Sequence, residues 1–82
     1  MQQDSPPPSV VYRVRIGKDS FTCYGHLVRE GGIVYAIGES ADDGMFPPDR
    51  VRLEESDLEL RRGDDGREYY FYHGFVMAPG YF

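Results

Sequence analysis

One cysteine, Cys23, occurs in 82 residues, and that scarcity excludes an intramolecular disulfide. Domains this small that work in oxidising compartments commonly depend on two or more such bridges, so a reducing, cytoplasmic setting is expected. Lysine is nearly absent as well, since eight of the nine basic residues are arginine and Lys18 is the exception. No uninterrupted apolar run approaches the roughly 20 residues that span a bilayer. The opening MQQDSPPPS has neither the basic nor the apolar region of a secretory leader. Neither membrane insertion nor secretion by these routes is expected.

Chemistry-bearing motifs are scarce too. No glycine-rich loop has the spacing that cradles phosphate, and no nucleophile comes with a recognisable base and orienting partner, so a non-catalytic protein without a cofactor is expected. Cys23, His26 and His73 are zinc-competent residue types, but in a regular strand Cys23 and His26 fall on opposite faces and no second cysteine exists; no metal site is expected. ESADDG, residues 39 to 44, clusters carboxylates without the alternating ligands and closing glutamate of an EF-hand loop. Arg62, Gly63 and Asp64 spell the integrin-binding tripeptide at a position where turn residues are expected anyway.

What the chain does have is aromatic and β-branched residues in alternation. Hydrophobic residues make up 40% and aromatics 15% of the sequence, a globular composition for one domain that buries about 60 to 65% of its unfolded surface. In VVYRVRI, Val10, Tyr12, Val14 and Ile16 point one way and Arg13 and Arg15 the other, the period of a half-buried strand. SFTCYGHLVR alternates likewise, with Phe21, Cys23, Gly25 and Leu27 on one face, and Gly25 marks a bulge or bend. Glu30, Gly31 and Gly32 signal a hairpin into a third strand from Ile33. Residues 39 to 49, with two consecutive prolines, form the longest internal loop. RVRLE then resumes the alternation through Val51 and Leu53. SDLELRR reads as a brief turn entering a strand, GDDG as a hairpin turn, and the aromatic stretch that follows as the last long strand.

These features predict an all-β domain over residues 9 to 82, preceded by a flexible proline-rich tail at 1 to 8. The expected architecture is a small antiparallel barrel of five to six strands, SH3-like or OB-like, with at most one short helical turn.

Two surfaces stand out as functional candidates. Residues 67 to 82 hold seven of the twelve aromatics. Within them, Phe71 and Phe75 are expected to face the core, because phenylalanine has no polar atom to satisfy, and Tyr70 and Tyr72 to face outward. Tyr70 and Tyr72, with Met45 and Phe46 of the long loop, are then the expected contact residues for a protein or peptide partner, a second copy of the chain among them. His73 shares the face assigned to the phenylalanines and requires either an internal hydrogen-bond partner or a bend at Gly74 that releases it. The alternative function is single-stranded nucleic-acid binding by a cationic stripe of Arg13, Arg15, Arg50 and Arg52, formed if their strands are neighbours. A net charge of −5 opposes that alternative, and most of the acids lie between residues 39 and 68.

Overall fold

Alternating apolar residues set the first strand, β1 (Ser9–Ile16), whose Val10, Tyr12 and Val14 are buried while Arg15 is exposed. A computed structural model describes residues 8–77; the expected N-terminal tail, apart from Pro8, and the closing APGYF lie outside the described residues. β2 (Asp19–Glu30) pairs antiparallel with β1 and buries Phe21, Cys23 and Leu27. The hairpin to β3 (Ile33–Ala41) turns on Gly31 and Gly32, at φ of 58 and 80°. Both central residues are left-handed, as the tightest hairpin turn that matches strand twist requires.

Gly25 is also required, for a different reason. A Cβ built there would lie 2.0 Å from the Ile37 carbonyl oxygen, because the β2–β3 register slips by one residue between Tyr24 and Gly25 and β3 bulges toward it. The bulge anticipated at Gly25 is therefore present, with Glu39 as the extra residue on the partner strand. β3 runs on to Ala41, and a 3-10 turn occupies Asp42–Gly44, so the long loop is shorter than its composition suggested. β4 (Arg50–Leu53) buries Val51 and Leu53 against β3. A second 3-10 turn, Glu55–Asp57, enters β5 (Leu58–Arg62), and a hairpin leads to β6 (Glu68–Met77).

The all-β expectation holds; the antiparallel barrel does not. The sheet is mixed, with the order β4-β3-β2-β1-β6-β5. β1 to β4 form an antiparallel meander, the chain then crosses to the far side of β1, and the β5–β6 hairpin inserts β6 between β5 and β1. A strand placed there by a hairpin runs parallel to β1. No hydrogen-bonded ladder closes the sheet among the described residues. It curls nonetheless, so that β4 comes close to the C-terminal half of β6 and leaves a seam.

The core lies on the concave side, where β1, β2, β3, β4 and β6 all contribute: Tyr12, Cys23 and Ala36 are fully buried, with Val51, Leu53, Tyr72 and Val76 nearly so. Burial of each large apolar side chain stabilises by about 1.5 to 3 kcal/mol, which is substantial for so small a domain.

The alternation expected along β6 is correct and the choice of faces is inverted. Tyr72 is 5% exposed and Val76 is buried, whereas Phe75 is 41% exposed and Phe71 half-buried. Two physical causes reverse the assignment. The Tyr72 phenol oxygen accepts the Glu54 backbone N–H at 3.1 Å, so its polar atom is satisfied inside. The outward phenylalanines, for their part, are roofed by guanidinium groups rather than by the core.

Candidate binding face and seam

The outward face around β6 is built by register. β1 and β6 pair Val11 with Phe71 and Arg13 with Phe75, so that Tyr72, His73 and Gly74 stand opposite the single Tyr12, an excess of two residues in β6. An even insertion keeps Phe71 and Phe75 on one face. His73 points outward by the same alternation as Phe71 and Phe75, so neither an internal partner nor a release at Gly74 is needed, and its Nε2 pairs with the Glu59 carboxylate of β5. His73 also meets Phe71 edge to face, with ring centroids 5.0 Å apart.

Across this face arginine and phenylalanine interleave. Arg61 of β5 lies over the Phe71 ring at 4.1 Å from its centroid. Arg13 lies 5.6 Å from Phe71 and 4.4 Å from Phe75, and Arg15 is 4.7 Å from Phe75. Arg13 is held further by donating from Nη2 to the His73 carbonyl at 3.0 Å, while its buried Nε makes no hydrogen bond within the protein. Cation–π contacts of this kind are worth about 0.5 to 1 kcal/mol at exposed sites, and they cover apolar ring area that alternation alone would leave in water.

The four arginines of the anticipated stripe occupy β1 and β4, which are not neighbours: β2 and β3 separate them in the sheet. They approach from the opposite direction. Because the sheet curls, Arg50, Val51 and Arg52 line one depression with Phe75, Val76 and Met77, and Arg13 and Arg15 reach the same Phe75 from the other side. Arg50 is held by the Glu30 carboxylate and stacks at 3.9 Å over Tyr35. Met77, 67% exposed, extends the apolar floor.

Charge pairing divides the arginines into two sets. Arg29, Arg50, Arg61, Arg62 and Arg67 each have a carboxylate within ion-pair distance. Arg13, Arg15 and Arg52 have none among the described residues, and all three border Phe75 or its depression. On β5, the His73 and Arg61 side chains hold Glu59 below the usual carboxylate range.

The remaining candidates are dispersed. Tyr72 belongs to the core and is removed from the contact set; Tyr70 is half-buried against that core. Met45 packs on the core and lines a shallow cleft with Ile16, Phe21 and Asp43, so it plugs that end of the sheet, while Phe46 is 79% exposed. Cys23 is buried and His26 pairs with Glu39 at 3.0 Å, and no cluster of three metal-ligating side chains occurs among the described residues. No helix among them is long and apolar enough to cross a membrane.

Alternation had missed Phe71, Phe75, Met77 and Arg61. The signal that could have found them was His73, a polar ring on the face assigned to the core, beside a strand whose outward residues are arginines. Comparison with protein-family models, curated protein sequences and solved structures finds no match to this chain.

Proposed function

We propose that this protein is a non-catalytic interaction module that docks a macromolecular partner on the outward face of β6 and the seam beside it. One observation carries the reading: Arg13, Arg15 and Arg52, the three arginines without a carboxylate partner among the described residues, border the exposed apolar pair Phe75 and Met77 or the depression they line. Interaction surfaces favour aromatic, methionine and arginine anchors, and an exposed apolar patch rimmed by polar groups marks such a surface. A protein or peptide segment carrying carboxylates fits this chemistry, a second copy of the chain included. The placing of Arg50 and Arg52 in the depression whose Phe75 also carries Arg13 and Arg15 specifically favours the second partner class, a single-stranded nucleic acid.

The curled sheet belongs to this reading as an incompletely closed relative of SH3-like and OB-like barrels. Six short strands and the approach of β4 to β6 support that kinship. A cytoplasmic place of work is part of the same proposal, supported by the lone buried thiol of Cys23.

Affinity capture from the source cell tests the face directly. The unmodified protein is expected to retain a partner that the Phe75→Ala, Met77→Ala double variant loses, with both still melting in one cooperative transition. A nuclease-treated arm separates the two partner classes. Retention of the same partner by a folded double variant would remove this face from the function.

A further inference from the structure

We infer that the seam between β4 and β6 binds a single strand of nucleic acid, an inference that rests on the interaction-module reading and names its partner. The seam combines the two parts such a site needs: cations along which a phosphate backbone can run, and flat apolar groups on which bases stack. Arg13 and Arg15 flank Phe75 on one side, and Arg50 and Arg52 share its depression on the other. Within each pair the arginines stand two residues apart on a strand, about 6.7 Å, a step that successive phosphates of a stretched strand can follow.

The Arg13 and Arg15 guanidinium groups lie over the Phe75 ring, so their planes offer stacking area above it while N–H donors at their edges can meet phosphate. A glutamate-rich peptide would use those donors but offer Phe75 and Met77 no apolar surface. Bases use both. The net charge of −5 acts against approach at long range, but at physiological salt ions screen charges beyond about 8 Å. Local contacts then decide affinity, and three of the four arginines at this site, Arg13, Arg15 and Arg52, have no carboxylate partner among the described residues, while Arg50 is held by Glu30.

Fluorescence anisotropy with labelled oligo(dT) and oligo(rU) of about 12 nucleotides, a length within the usual site size, tests the inference beside a labelled glutamate-rich peptide. Binding to at least one oligonucleotide is expected at low salt. Its log affinity should fall with log salt concentration by about 0.7 per phosphate neutralised. Arg15→Gln and Arg52→Gln, both at exposed side chains, should each reduce that slope by about 0.7. Arg62→Gln, on the far hairpin, should leave it unchanged. Phe75→Ala should weaken binding about 5- to 100-fold with the slope retained, and Phe75→Leu, which keeps apolar volume but not the aromatic face, should do nearly the same. The inference is overturned if the folded protein binds neither oligonucleotide at low salt, or binds one with a slope that ignores both Arg15 and Arg52. Binding of the glutamate-rich peptide alone also overturns it, while leaving the interaction module standing.

Discussion

Tyr72 and Phe75 sit three residues apart on β6 and exchange the roles that their chemistry alone suggests. The phenol is accommodated in the core because Glu54 donates to it, and the benzyl ring tolerates water because Arg13 and Arg15 cover it. Tyr72→Phe should therefore cost about 1 kcal/mol, the usual worth of one hydrogen bond. Tyr72→Ala should cost about 3 to 5 kcal/mol through the cavity it leaves. Phe75→Ala should cost about 1 kcal/mol or less, since only exposed cation–π contacts are lost. Urea denaturation of the three variants measures this, and equal losses for the two alanine variants would contradict the observed faces. Cys23 offers a second test. Burial, with a smaller contribution from the Asp42 charge, pushes its thiol from 9.0 up to about 11. Burial raises the Tyr12 phenol as well, aided by the charges of Cys23 and Glu39. A group whose folded pKa is raised binds its proton where the unfolded chain has already released it, so the associated stability is complete below the unfolded pKa and drains above it. The urea midpoint should hold steady up to about pH 9 and decline toward pH 11, and Cys23→Ala should make that decline shallower. An equal decline with and without Cys23 would show the thiol to be solvated.

At the scale of elements, strand positions were legible because period-two alternation and turn chemistry are local properties. Val10, Tyr12 and Val14, the Gly31–Gly32 turn, and the brief turn before Leu58 all follow from neighbouring residues. Gly25 was legible for the same reason, and it carries a prediction. Gly25→Ala sets a methyl group against the Ile37 carbonyl oxygen at 2.0 Å, so the two strands must part; a loss of about 3 kcal/mol or more is expected, at the upper end for overpacking. Gly17→Ala, at a φ of 59° with open space around it, should cost only about 1 to 2 kcal/mol from the left-handed backbone. Thermal melts of both compare them, and a Gly25 variant as stable as the Gly17 variant would refute the close approach. Which face of β6 turns inward was not legible. It depends on the Glu54 N–H and on guanidinium roofs from β1 and β5, partners that are remote in sequence and invisible to periodicity.

Across the whole molecule, the seam was half legible. Arg13, Arg15, Arg50 and Arg52 were identifiable as outward residues of their own strands, but their meeting requires the curl that brings β4 to β6, a property of the assembled sheet. Their route to one another around the open side, rather than through β2 and β3, follows from the mixed order. An acidic chain can present a cationic strip because the acids cluster between residues 39 and 68, where Glu55, Glu59, Asp65 and Glu68 are engaged by Arg29, Arg61, Arg67 and Arg62 outside the seam.

The parallel pairing of β1 with β6 has a consequence for how the chain is made. Arg13 donates to a carbonyl 60 residues later, and β6 is the strand that covers the free edge of β1. At synthesis rates of about 5 to 20 residues per second, β1 must wait about 3 to 12 seconds for that partner. Through that interval the β1–β4 meander exposes one strand edge at the future centre of the sheet, together with the apolar side chains that Tyr72 and Val76 will later cover. Such an edge invites pairing with other chains. Vectorial synthesis thus leaves this edge of β1 open until β6 has emerged.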